Sequence, residues 1–208
     1  MRNREPGITS SGDDVRRDRI VAAAGQHFRL YGYEKTTVAD IARSVGFSSA
    51  YIYKFFDSKQ AIGEAVCRLC LSEIDADLQR VTVSPGTPSD HLSAIFQRLA
   101  FHAHELALRD CQLKDMVVAA FKGGWRSFGE HEARLRALIL KTVEAGRRSG
   151  AFERETPVDE TCREILWALA TLRNPGNWTQ RRDELEDQAS ALAALVLRSL
   201  TPQVKSDE

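Results

Sequence analysis

The sequence predicts an all-α fold: a small N-terminal three-helix head followed by a larger helical body, about nine helices in all. Three observations predict it. Apolar residues recur at i, i+3 and i+4 through most of the 208 residues, and no stretch alternates apolar and polar at period two. Capping residues, Gly and Pro punctuate the chain at intervals of a few helical turns. Within TTVADIARSVGFSSAYIYKFFDSK, Thr36 to Lys59, one helix, a tight turn and a second short helix are spelled out residue by residue.

Residues 1–14 are polar and read as a disordered N-terminal arm. Arg16 to Tyr31 is an amphipathic helix with Ile20, Ala24 and Phe28 on one stripe, ended by Gly32. Thr37 is an N-cap with Asp40 three positions on, a variant of the capping box, and the helix runs from Val38 to Val45. Gly46 then supplies the positive φ of a sharp exit. Ser48 caps a short helix, Ser49 to Phe55, which Asp57 and Ser58 stop. Ile41, Val45, Phe47 and Ile52 point inward and Ala42 lets the two helices approach, which fixes their angle.

Beyond Ser58, a second N-cap, the chain reads as helix throughout. Ile62, Val66, Leu69 and Cys70 form a stripe that continues to Leu78, and Ser84-Pro85-Gly86-Thr87-Pro88 ends it. Further helices are predicted over 90–108, 112–121 and 124–148, with Gly123 and Gly124 breaking the last two and Gly150 closing the long one. Helices over 159–172 and 182–200, separated by Asn174-Pro175-Gly176, complete the body. The expected division is an arm over 1–14, a head over 15–58, a body over 59–201 and a disordered tail over 202–208.

The helix–turn–helix spacing suits a module that lays its second helix in a DNA groove, although apolar spacing alone would also fit an ordinary helical hairpin. Total charge is zero, 29 Lys and Arg against 29 Asp and Glu. It is unevenly spread: residues 1–59 carry ten basic against seven acidic side chains, +3, and the remainder −3. Arg16, Arg17 and Arg19 place cations at a helix start, where the dipole disfavours them and a phosphate would offset the cost; a solvated surface cluster explains them equally. Lys59, in the first turn of its helix, could join backbone N–H groups on a phosphate.

Ile20 to Ile62 resembles the TetR family of bacterial transcriptional regulators, with Phe28, Gly32, Thr37, Ile41, Ala42, Gly46, Tyr53, Phe56 and Lys59 at family positions. The resemblance implies that Thr37, Tyr53 and Lys59 contact phosphates of an operator duplex. It implies that Ser48, Ser49, Ala50 and Tyr51 face base edges. Tyr51, where the family often has a small residue, and Lys54, where many members have His or an aromatic, depart from it. The operator sequence therefore does not carry over. The resemblance further implies a homodimeric repressor released by a small-molecule effector.

Two surfaces in the body follow. Leu185, Ala189, Leu192 and Val196 on the last helix and Cys162, Ile165, Leu166 and Leu169 on the penultimate one form facing stripes that could build a four-helix bundle with a second copy. A monomeric core would produce the same stripes. Phe96, Leu99, His102 and Met116, with Phe121, Trp125, Phe128 and Trp167, supply bulky surface for the pocket implied by the resemblance. Packed core is the alternative for each. His102 and Glu132 could orient a polar group of an apolar effector.

Other chemistry is not encoded. No Gly-rich phosphate loop, nucleophile elbow or catalytic carboxylate pair is present, so no enzyme, cofactor or metal is expected. Cys67 and Cys70 have redox spacing without a strand–helix setting, and with Cys111 and Cys162 read as buried thiols. The N-terminus has no apolar signal core, and the longest apolar run, Ala191 to Leu197, falls far below the roughly 18 residues a membrane span requires. These features point to a cytoplasmic chain. The protein-binding alternative is a helical small-molecule sensor whose first helices grip a protein partner rather than DNA.

Overall fold

The computed structural model describes residues 9–108, 113–177 and 181–202. Among these, nine α-helices follow in order: α1 Thr9–Tyr31, α2 Val38–Ser44, α3 Ser49–Ile52, α4 Lys59–Val83 and α5 Pro88–Leu108, then α6 Leu113–Lys122, α7 Arg126–Ser149, α8 Val158–Arg173 and α9 Arg182–Leu200. A 3₁₀ turn, Pro175–Asn177, precedes α9. No described helix is long and apolar enough to cross a membrane.

Two boundaries differ markedly from expectation, each for a local reason. The first helix reaches back to Thr9, so residues 9–14 of the expected arm are helical; an Asp13–Arg16 pair one turn apart (2.9 Å) supports them. Residues 1–8, and 203–208 of the expected tail, lie outside the described residues. The short helix α3 stops at Ile52 rather than Phe55. Lys54 and Phe55 donate their N–H groups three residues back, to Tyr51 and Ile52, tightening the chain into turns. The long helix α4 ends at Val83, where the Ser84-Pro85 cluster was expected to stop it.

Caps set the other ends. Thr87 and Asp90 exchange hydrogen bonds (Asp90 N–H to Thr87 Oγ1, 3.2 Å; Thr87 N–H to Asp90 Oδ2, 2.9 Å), a capping box ahead of Pro88 at the first position of α5. Gly150 closes α7 at φ 78°, a conformation disfavoured by any Cβ.

Apart from a small second cluster at Ala103 and Val117, the helices bury a main core that extends from Ile20 in the head to Leu200 in the body. At its centre lies α5, which packs on α9, α4, α8 and α7, with Leu92, Ile95 and Phe96 fully buried. The long helix α4 packs on α7 and α5 through its body and on α1 near its start. It is therefore the principal element shared by head and body. Phe96, a candidate for the pocket, is fully buried in this core and does not line the pocket.

Candidate functional site

The head is rigid by construction. Thr37 accepts the Asp40 N–H (3.2 Å), and Asp40 Oδ2 accepts both the backbone N–H (3.1 Å) and the hydroxyl (2.6 Å) of Thr37. These bonds hold the Asp40 carboxyl below its ordinary range. Gly46 turns the chain at φ 70°, Phe47 N–H returns to Ala42 O (2.9 Å), and Ser48 Oγ accepts the Tyr51 N–H (3.2 Å) to start α3. Ile41, Ala42, Val45 and Ile52 are buried beneath. A contact that sequence reasoning did not find clamps the far end: Arg17 donates to Phe55 O (2.8 Å) and lies 4.2 Å over the Phe56 ring.

The eight residues expected to meet DNA therefore divide. Ser48, Ala50, Tyr53 and Lys54 are exposed and Ser49 half-buried along one side of the turn and α3. Tyr51 is half-buried in an aromatic row, its ring 4.8 Å from Phe47 and 5.3 Å from Phe55, with Lys54 Nζ 5.3 Å from its centre. Thr37 is exposed, but both its donors are committed to Asp40. Lys59 donates to Glu34 O (3.1 Å) and lies 4.5 Å over the Tyr33 ring, so it also pins the loop between α1 and α2.

That loop meets the body at an aromatic joint. Tyr33 packs edge-on against Phe28 (5.2 Å) and against Trp125 (5.5 Å), and Trp125 lies on Gly63 of α4. Trp125 is the N-cap residue of α7 and is buried here, so it joins head to body rather than lining the pocket. The Gly123-Gly124 break delivers it: Gly124 takes φ 58°, and a Cβ on Gly123 would fall 2.9 Å from both Trp125 Nε1 and Ala119 O.

A cavity of about 470 Å³ opens between α4, α5, α6 and α7, with the end of α8 at its wall. Leu99, His102, Met116, Phe121 and Phe128 line it, as does Glu132. Phe121 is largely exposed and forms part of the rim. Sequence reasoning missed Cys67, Leu71 and Ile74 of α4, Val117 of α6 and Arg173 of α8. The α4 stripe was legible, but periodicity does not distinguish a wall from a packed contact. Two buried carboxylates of α4 brace the wall. Burial raises the Asp77 carboxyl, but hydrogen bonds from Arg80, His102 and Arg98 outweigh it and bring the pKa down to about 2. Asp75 is likewise lifted by burial and lowered overall by His131 (2.6 Å) and Arg134.

Trp167, expected in the pocket, is 68% exposed on the outer face of α8. The dimer stripes also divide. Cys162, Ile165, Leu166, Leu169, Leu185 and Ala189 are buried within the subunit, whose own core claims the main apolar stripe of each helix. The exposed large apolar side chains of α8 and α9 are thus Trp167 and Leu195, while Leu192 and Val196 are half-buried against the core.

Among the described residues no group of three or more His, Cys, Asp or Glu is placed to hold a metal ion. Burial pushes the Cys67 thiol up to about 11, so at neutral pH it is no thiolate. Cys111 lies outside the described residues.

Comparison with known proteins agrees with this geometry. Residues 20–66 match the family described as bacterial regulatory proteins, tetR family. The HTH-type transcriptional repressor KstR2 of Rhodococcus jostii is 24% identical over 178 residues, covering 82% of this chain and 86% of that protein. A TetR-family transcriptional regulator from Pectobacterium atrosepticum superposes with a TM-score of 0.75 at 19% identity, over 95% of this chain and all of that one. Thermus thermophilus FadR, a TetR-family repressor solved in complex with lauroyl-CoA, gives 0.67 at 19% identity, over 92% and 99% of the two chains.

Proposed function

We propose that this chain, which belongs to the TetR family of bacterial regulatory proteins, is a cytoplasmic homodimeric repressor that binds a palindromic operator and is released by a small, largely apolar effector. One observation carries the reading: α4 begins under the head at Lys59 and, within the same helix, contributes Cys67, Leu71 and Ile74 to the cavity wall. Whatever fills the cavity presses on the helix that supports the head.

In this reading Ser48, Ser49 and Ala50 approach base edges, with Tyr51 giving α3 its flat aromatic flank. Tyr53, Lys54 and Lys59 anchor phosphates, while Thr37 acts by fixing α2. A single short reading helix contacts few bases, so two heads related by a two-fold axis are required. Exposed Trp167 and Leu195, with half-buried Leu192 and Val196, are suited to join them. Residues 15–58 then serve as the DNA-binding unit and 59–201 as the effector and dimerisation unit. The relatives named as repressors, and the one solved with an acyl thioester, support this division of labour.

Release follows from differential affinity. An effector that favours the geometry in which α4 and the Tyr33–Trp125 joint have shifted, by about 2 to 3 kcal/mol, weakens operator binding roughly 30- to 150-fold. A second route is available, since Met116, Val117 and Phe121 of α6 line the cavity and the chain from α6 leads through Gly124 to Trp125.

Salt titration of DNA binding tests the reading. Lys54→Ala should reduce the slope of log K against log salt by about 0.9 per subunit. A slope unchanged in this variant, or binding that ignores salt, would favour a protein partner for the head. Sedimentation tests the dimer: Trp167→Glu with Leu195→Glu should yield a folded monomer that no longer holds the operator.

A further inference from the structure

One polar atom in the cavity wall, Arg173 Nε, has no partner among the described residues. Arg173, the last residue of α8, meets Glu132 of α7 end-on: Nη1 donates to Oε2 and Nη2 reaches toward Oε1 (3.5 Å). This pairing neutralises both charges but uses only one edge of the guanidinium fork. The Nε–H on its side edge is buried and has no acceptor among the described residues. Each of three neighbouring polar side chains of the wall has one atom engaged elsewhere. His102 Nε2 is bonded to Asp77 (2.8 Å), His131 Nδ1 to Asp75 (2.6 Å), and Asn174 Oδ1 accepts the Gly176 N–H (2.9 Å). A buried donor without an acceptor is a cost that a ligand oxygen removes.

We infer that the effector is a compact, apolar molecule carrying one acceptor oxygen, a carbonyl or a carboxylate, which docks on Arg173 Nε–H beside the Glu132 pair once the side chain turns this edge, closed to water as it stands, toward the cavity. This rests on the cavity being the effector site, as proposed above. Nε only donates, so a ligand offering only a donor leaves it unmet. Glu132 is half exposed, so its carboxylate remains open to solvent. The lining of Leu99, Met116, Val117 and Leu71 receives the apolar body, and Arg173 sets the specificity.

Three naphthalenes of nearly one shape test this in the full-length protein: 2-ethylnaphthalene, 2-acetylnaphthalene and 2-naphthoate, each titrated against bound N-phenyl-1-naphthylamine fluorescence. A purely apolar cavity binds the ethyl compound best, because the carbonyl loses water and gains nothing; the expected margin is about tenfold. With Arg173 as donor, the acetyl compound binds at least as tightly as the ethyl one. Arg173→Met then weakens the acetyl compound about tenfold relative to the ethyl compound, whose own affinity is retained. The leader between acetyl and naphthoate identifies the oxygen as neutral or anionic. Glu132→Gln, which leaves the Arg173 charge uncompensated, strengthens naphthoate at least fivefold even if Arg173→Met fails to fold.

A tenfold lead of the ethyl compound in the unaltered protein overturns the inference, as does an acetyl preference that survives Arg173→Met or a naphthoate affinity indifferent to Glu132→Gln. Displacement without acceptor preference defeats this inference alone. Failure of all three compounds and of the fluorophore to bind also removes the cavity as the effector site.

Discussion

Gly63→Ala probes the joint between head and body through one methyl group. A Cβ built on Gly63 falls 2.7 Å from Trp125 Cη2, 2.9 Å from Tyr33 Cε2 and 3.0 Å from Trp125 Cζ3. Carbon atoms rest at about 3.5 to 4.0 Å, so the rings must retreat by roughly 1 Å. Neither has room: both are buried, and Tyr33 is backed by Phe28. Overpacking of this kind costs about 1 to 3 kcal/mol, against a gain of about 0.8 to 1 kcal/mol for Ala over Gly inside a helix. The net is a loss of up to about 2 kcal/mol, with the head displaced on α4 and operator affinity altered. Gly129→Ala in α7 is the control, because no described atom lies within 4 Å of its Cβ. It should stabilise by about 0.8 to 1 kcal/mol. Denaturant unfolding and DNA anisotropy on both variants read the contrast. Should Gly63→Ala gain stability as Gly129→Ala does and bind DNA unchanged, the joint would not be the tight coupling described here.

Tyr51→Ala removes two edge-on ring contacts worth about 0.5 to 1.5 kcal/mol each, so it should lower the melting temperature as well as relax sequence preference, whereas Tyr51→Phe keeps the stability. An unshifted melt for Tyr51→Ala would dismiss the aromatic row. Asp77 has a folded pKa depressed to about 2, below its unfolded value near 3.9, so its contribution is complete above about pH 4 and fades as pH falls toward 2. Acid unfolding of Asp77→Asn should therefore show a weaker dependence over that window than the unaltered protein. Cys67, with its thiol pushed up to about 11, should resist alkylation by iodoacetamide at pH 7 in the folded protein and react on unfolding; rapid modification of the native form would contradict its burial.

The head was legible because its signals are local. Thr37 with Asp40, Gly46, Ser48 and Ser58 each act within four residues, and the structure finds them capping and turning as read. The body was legible as helices but not as surfaces. Phe96, Trp125 and Trp167 looked alike in sequence, yet one fills the core, one joins head to body and one faces outward. Periodicity reports which side of a helix is apolar, not which of several neighbours covers it. The same limit misassigned Cys162, Ile165, Leu166 and Leu169, because the strongest stripe is claimed first by the subunit's own core. The useful signal was an apolar residue off that stripe, such as Trp167 or Leu195. Arg173 had no signal at all, since a charge at a helix end is ordinarily solvated.

Selection of bound duplexes from random-sequence DNA tests operator recognition itself. One palindromic site should be enriched, two copies of the chain should occupy it, and preference within each half-site should relax when Ser49 or Tyr51 is altered. A pool that enriches no site, from protein shown to be folded, would contradict it.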